Sequence, residues 1–190
     1  MDIDEKELKY YEKVGDVVDT LIDLMLNYRQ SGHPGGSRSK MHMLLSLMLS
    51  GSFHYDIRYP EKRYADRFIL GAGHTVPLVY ATLAVLNGTL NKKYEETHDE
   101  RFKLRRELTL LPEDLLGFRR NKGLSGHAEF AGKTLFLKFN TGPSGHGITA
   151  AVGEALALKR AGLEKTKVVV IEGDAGLTPG GFHESTNSAW

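Results

Sequence analysis

The last third of the chain constrains the fold most, because its segments follow one another in a single repeated order. Residues Thr134 to Phe139 read as a strand, and Gly142-Pro143-Ser144-Gly145-His146-Gly147 is a glycine-rich turn. Ile148 to Ala161 is rich in Ala and Leu and reads as a helix. Lys167 to Glu172 encloses Val168-Val169-Val170-Ile171, the continuous β-branched run of a buried parallel strand. Gly173-Asp174-Ala175-Gly176 follows, and residues from Pro179 to Trp190 begin another helix. Strand, glycine turn, helix, repeated, is the order of an open α/β sheet. Ligands of such sheets bind at the carboxyl ends of the strands, where both glycine turns fall.

The rest of the chain reads more loosely. Residues 5–30 form an amphipathic helix, with Val14, Val17, Val18, Leu21, Ile22, Leu24, Met25 and Tyr28 at helical spacing. The run 30–36, Gln-Ser-Gly-His-Pro-Gly-Gly, ends it. A second apolar helix is expected from Ser39 to Leu49, with Met41, Met43 and Met48 as core filling. Residues 51–66 are irregular, Arg67 to Leu70 form a short strand, and Gly71-Ala72-Gly73-His74 turns out of it. Pro77 to Leu86 reads as a helix, since proline is tolerated in a first turn. The charged stretch 88–107 is expected as an exposed excursion, and a short helix runs from Pro112 through Phe118.

Charge excludes some partners. Lys and Arg number 25 against 24 Asp and Glu, a formal net charge of +1. That balance gives no general attraction to nucleic acid or an anionic membrane. The basic clusters at 103–106 and 119–122 read as solvated helix faces. There is no cysteine, so disulfides and thiol chemistry are out. No apolar run approaches the ~20 residues that span a bilayer, and the acidic start is unlike a signal peptide. A cytoplasmic protein is the expectation.

The two glycine turns have a definite chemistry. Glycine lets backbone approach a ligand closely, and N–H groups opening a helix favour a phosphate. Asp174 at a strand end can hold a hard divalent cation, which takes one or two carboxylates together with phosphate oxygens. The turns are equally readable as ordinary βα connections with a capping Asp. Three histidines sit in small-residue turns: His33, His74 and His127. Histidine titrates near neutral pH, which suits proton handling, whereas the spacing for a zinc site is lacking. Neither a dinucleotide fingerprint, a P-loop, a zinc-protease helix nor a nucleophile elbow occurs.

Five motifs, in order, resemble those of the transketolase family. They are residues 31–37 (SGHPGGS), 66–74 (DRFILGAGH), 124–129 (LSGHAE), 141–147 (TGPSGHG) and 173–176 (GDAG). The resemblance implies a three-layer helix/parallel sheet/helix thiamine diphosphate-binding fold, with residues 1–190 its N-terminal part, incomplete at the C-terminus. It implies thiamine diphosphate and Mg2+ as cofactors. It also implies transfer of a two-carbon ketol unit between sugar phosphates, in a dimer with the active site at its interface. By position, His33 and His127 match histidines that contact the sugar, and His74 one beside the diphosphate and thiazolium. Gly142, Pro143 and Ser144 match the turn packed on the cofactor. Gly173 opens the diphosphate motif, Asp174 matches a magnesium ligand, and Ala175 a glycine whose backbone meets the diphosphate.

The chain departs from the family at several points. Ala175 replaces a glycine and requires negative φ there. Ser144 and His146 replace Leu and Gln. Pro179 stands in place of an acidic residue, and residues 177–181 (LTPGG) look nearer to deoxyxylulose phosphate synthases. The family's second magnesium ligand and its activating glutamate lie beyond residue 190. A missing C-terminal part or a split partner subunit is therefore expected. A related thiamine diphosphate enzyme, such as a 2-oxo acid dehydrogenase first component, and a non-catalytic relic domain are the alternatives.

Overall fold

The computed structural model describes residues 4–62 and 64–189. Helix α1, Glu5–Arg29, starts where the Asp4 carboxylate accepts from the Lys6 amide at 3.2 Å. An N-cap carboxylate satisfies an amide that the helix cannot, and Glu5 and Glu7 suit the positive end of the helix dipole. The helix ends at Gln30, whose φ of 54° is left-handed. Its inward face is Val14, Gly15, Val18, Ile22, Met25 and Leu26.

The chain then forms two helices where the sequence suggested one. These are α2, Pro34–Ser39, and α3, Met41–Leu49. Pro34 opens α2 instead of closing α1, because the amide that proline lacks would be unpaired in a first turn anyway. Met48 is buried and Met41 packs at the edge of the core, but Met43 is exposed, against expectation. Strand β1, Arg67–Leu70, follows the irregular segment, and helix α4, Val76–Thr97, follows β1. Its first half, Val76 to Ala84, is buried without a break. The expected boundary at Leu86 is wrong by eleven residues. Residues 89–97 are mostly good helix formers and continue the helix past Gly88, at a cost of about 1 kcal/mol for that glycine. The exposed excursion therefore shrinks to residues 98–107.

The basic clusters are not helix faces. Arg105 pairs with Glu61 and Arg106 with Glu113, in turns of 3-10 helix and extended chain. Arg119 is left-handed at φ 53° and donates to the Ser31 hydroxyl at 2.6 Å.

Strand β2, Val168–Ile171, lies parallel to β1 with Arg67 opposite Val168 and Leu70 opposite Ile171. The buried Asp66 pins the start of both strands. One of its oxygens accepts from the Lys167 amide and the other from the His54 amide, each at 2.8 Å. The expected strand at 134–139 does not form. Its residue Leu137 makes a single parallel bridge to Phe68, and the Lys138 amide donates to the Phe68 carbonyl. The Thr134 hydroxyl bonds back to the Glu129 and Ala131 carbonyls and closes a local turn, which uses the start of the segment elsewhere. β2 pairs only with β1 among the described residues, so Val168, Val169 and Val170 are half-buried rather than central.

Side chains alternate across the two strands, as a pleated sheet requires. Phe68, Leu70 and Ile171 join the main core with α1, α3 and α4. Phe68 stacks on Phe136 with ring centres 5.3 Å apart. Ile69 is buried outside that cluster, on the face crossed by helix α5, His146–Arg160. Helix α6, Gly180–Ser188, packs on α5. Helices thus cover both faces of a parallel pair, the expected three layers. Among the described residues, no helix is long and apolar enough to cross a membrane.

The start of α5 touches the end of β1 through two glycines. A Cβ on Gly147 would stand 2.4 Å from the Gly71 Cα, a distance that backbone cannot accommodate. Gly147→Ala should therefore shift α5 away from the strand end and destabilise the protein by about 1–3 kcal/mol, the range for overpacking. Chemical denaturation of the variant checks this. Gly153→Ala, which meets open space, is the control and should not destabilise.

Candidate active site

The carboxyl ends of β1 and β2 open into one cleft of about 240 Å³. From β1 come Gly71, Ala72 and His74, and from β2 come Glu172, Gly173, Asp174, Ala175 and Gly176. Gly142 and Ser144 of the turn before α5 form a third side, and Gly35, Gly36, Ser39 and Lys40 of α2 a fourth. A larger groove of about 980 Å³ lies between α1 and α4, lined mainly by apolar side chains such as Val14, Val17, Leu21 and Leu86. It holds none of the predicted site residues, whereas His74, Gly142, Ser144, Gly173, Asp174 and Ala175 all line the smaller cleft.

Local backbone makes the cleft. The Gly71 and Ala72 amides both reach the Ile171 carbonyl, so β1 turns sharply as it leaves the sheet. Gly73 packs against the backbone of Thr141, where a Cβ would come within 2.8 Å of the carbonyl oxygen. The Thr141 hydroxyl donates to the Leu70 carbonyl and ties the second turn to the strand end. Gly145 adopts φ 82°, which glycine takes without strain, and its carbonyl then opens α5.

Of the three sequence-predicted histidines, His74 lines this cleft, while His33 and His127 stand next to its lining, His33 against His74 and His127 against Gly142. His33 and His74 meet edge to face, ring centres 5.0 Å apart at 83°. A Cβ on Gly36 would be 3.4 Å from His74 Nε2, and one on Gly142 would be 3.4 Å from His127 Cδ2. The glycines thus leave room for imidazoles on two sides. Burial lowers the pKa of His74, and the nearby His33, Lys40 and His127 lower it further. His74 is therefore held as the neutral imidazole at neutral pH.

Asp174 opens a turn of 3-10 helix, Asp174–Leu177, directly after β2. Its carboxylate is exposed, and among the described residues nothing hydrogen-bonds or pairs with it. A free carboxylate at a strand end, beside glycine backbone, fits one ligand of a magnesium ion whose other ligands are phosphate and water. No group of three metal-ligating side chains occurs among the described residues, so the chain offers only part of such a shell. Ala175 is absent from the residues with positive φ, so its methyl is accommodated. Pro143 is exposed beside the cleft, and its carbonyl accepts from the His146 amide.

Two residues in the cleft escaped the sequence reading, Glu172 and Lys40. The Glu172 carboxylate is threaded between two glycines. A Cβ on Gly71 would lie 2.3 Å from its Oε2, and one on Gly176 would lie 2.3 Å from its Cδ. Oε1 accepts from the Gly173 amide at 2.9 Å, while Oε2 is buried without a partner. Lys40 is only 9% exposed. The signal was present in both cases, a single charge at the border of an otherwise apolar run.

The comparisons with known proteins agree with this geometry. The family model of the transketolase thiamine diphosphate-binding domain matches residues 16–189. The chain belongs to that family. It is 31% identical over 169 residues to "Transketolase 2" of Vibrio vulnificus, covering 84% of this chain and 22% of that protein. It is 30% identical over 173 residues to one of the subunits of an apulose-4-phosphate transketolase from Actinobacillus succinogenes, covering 89% of this chain and 53% of that one. Among solved structures, transketolase from Campylobacter jejuni superposes with a TM-score of 0.73 at 26% identity, over 97% of this chain and 26% of that one. Transketolase from Leishmania mexicana gives 0.68 at 28% identity, over 92% and 24%. The chain thus spans about a fifth to a half of the length of the curated relatives compared.

The depressed pKa of His74 has a sign that can be checked. The unfolded chain binds this proton near the ordinary value of 6.5, and the folded chain binds it only at lower pH. Stability is therefore full above that value and falls as pH drops through the interval between the two. His74→Gln should remove part of the loss. Denaturant titrations at pH 7.5 and pH 5 should show a smaller drop in the variant than in the unmodified protein.

Proposed function

We propose that residues 1–190 form the N-terminal, diphosphate-binding part of a transketolase-like enzyme. The reaction is transfer of a two-carbon ketol unit between sugar phosphates, dependent on thiamine diphosphate and Mg2+. The active assembly also needs the remainder of the family's length, carried on the same polypeptide or on a partner subunit. The observation that carries this reading is the single cleft at two parallel strand ends. There glycine backbone, an unpaired carboxylate and His74 come together, with His33 against His74 and His127 against Gly142.

Each residue has a role that its position supports. Asp174 would hold the cation, and the backbone of Gly173 and Ala175 would lie against the diphosphate. Gly142, Pro143 and Ser144 form the wall on which the cofactor rests. Bound thiamine diphosphate supplies the carbon nucleophile and the electron sink for breaking a carbon–carbon bond. His33, beside His74, and His127, beside Gly142, would hold or move protons at the sugar hydroxyls, a task suited to imidazole. His74, whose pKa is lowered by burial and then by His33, Lys40 and His127, would accept or donate one hydrogen bond beside the cofactor without adding charge.

Calorimetric titration of thiamine diphosphate in magnesium buffer, on the complete assembly, tests these roles. Asp174→Asn keeps an oxygen ligand and loses the charge, so it should bind the cofactor more weakly. Asp174→Ala should bind it more weakly still. His33→Ala should leave cofactor affinity almost intact and lower turnover by about 10²–10⁴-fold. Undiminished affinity in Asp174→Ala would remove Asp174 from the metal site. The 190-residue chain alone should show no ketol transfer with xylulose 5-phosphate and ribose 5-phosphate. Turnover by the pure chain would show that it needs no further part.

A further inference from the structure

Lys40 closes α2 and precedes α3, at the wall of the cleft facing His74. It is 9% exposed, yet among the described residues it makes no ion pair. Its ammonium reaches only the Gly36 carbonyl and the Ser39 hydroxyl, both at 3.4 Å. Those contacts are long for a charged donor, and neither acceptor is charged. An ammonium has three protons to donate, so at least one points at nothing in the protein. Burying a cation without a partner is costly, and chains keep such groups where something else completes them.

The same cleft carries a second unsatisfied charge. Glu172 Oε2 is buried without a hydrogen bond, and Asp174 beside it is unpaired. Acidic groups therefore line the strand side of the gap and a cation lines the helix side, with about 240 Å³ between them. A purely anionic occupant would be repelled by Glu172, and a bare cation by Lys40. The occupant that satisfies both is a metal–diphosphate, with its cation toward the carboxylates and its outer oxygens toward the ammonium. A fully ionised diphosphate ester carries more negative charge than one divalent cation neutralises. The excess needs a counter-charge from the protein.

We propose that Lys40 supplies that counter-charge, as a direct ligand to the phosphate oxygens of the cofactor's diphosphate. The inference rests on the thiamine diphosphate reading above and adds a binding residue to it. Lys40 lines the same cleft as Gly173, Asp174 and Ala175, which favours the cofactor over the phosphate of a sugar substrate.

The test uses the complete assembly and three substitutions. Lys40→Met removes the charge and keeps a straight apolar chain that packs readily. Lys40→Arg keeps the charge. Lys40→Gln replaces Lys40→Met if that variant fails to fold. Calorimetry in magnesium buffer measures affinity for thiamine diphosphate and, separately, for inorganic pyrophosphate. Loss of one charge-assisted contact should weaken both in Lys40→Met by roughly 10- to 100-fold, and Lys40→Arg should recover most of it. Undiminished affinity for both probes overturns the proposal, whatever happens to turnover. A higher KM for a phosphorylated ketose, with cofactor affinity unchanged and the unphosphorylated ketose unaffected, also overturns it. That result would give Lys40 to the substrate. If the unmodified assembly takes up no thiamine diphosphate, the functional reading fails instead, and the pyrophosphate titration alone then decides whether Lys40 binds diphosphate.

Discussion

The contact of Gly147 with Gly71 sets the geometry on which the rest of the cleft depends. It brings the first turn of α5 against the end of β1 at a distance that only a glycine at 147 permits. That approach carries the 142–145 turn over the strand ends and places Gly142 beside His127. It also leaves the Gly71–Gly73 turn lying directly on the backbone of Thr141. A side chain at Gly147 or Gly73 would meet backbone and hold these segments apart. The parallel pairing of β1 with β2, anchored by Asp66, then brings Asp174 to the same opening.

The cleft is polar in a way that an interior is not. Among the described residues, the buried Glu172 Oε2 on one side accepts no hydrogen bond, and the Lys40 ammonium on the other makes no ion pair. Each such group carries a desolvation penalty that a hydrogen bond or a counter-ion would offset. Stability has therefore been given up where binding is to happen, and an occupant of matching polarity recovers it. The main core, from Phe68 to Ile22 and Tyr80, is apolar and closed, and it bears that local cost.

Much of this was legible in the sequence, and the exceptions share physical causes. β2, α5 and the two glycine turns follow from a valine run and from glycine spacing, local signals that tertiary packing did not override. The three histidines could be picked out because each sits in a turn of small residues. The strand expected at 134–139 failed because its alternation competed with a hydroxyl, Thr134, that found backbone carbonyls closer at hand. Helix α4 outran its expected end because charged residues were taken as a sign of loop, although most are good helix formers. Met43 faces solvent because methionine at helical spacing does not say which face is inward. Glu172 and Lys40 were missed because one ends the expected strand at 167–172 and the other lies in the first turn of the expected helix Ser39 to Leu49, where a single charge reads as a boundary.

Glu172 changes what the motif around Asp174 demands of its neighbours. Ala175 carries a methyl without strain, so the position where the family places a glycine is free to vary here. The strict requirement has moved to Gly176 and Gly71, the two residues between which the Glu172 carboxylate is inserted. Positions 71, 172 and 176 therefore form one volume shared three ways. A substitution at any one of them is constrained by the other two. A short side chain at 172 would release the glycines on either side, and a long one obliges both to stay.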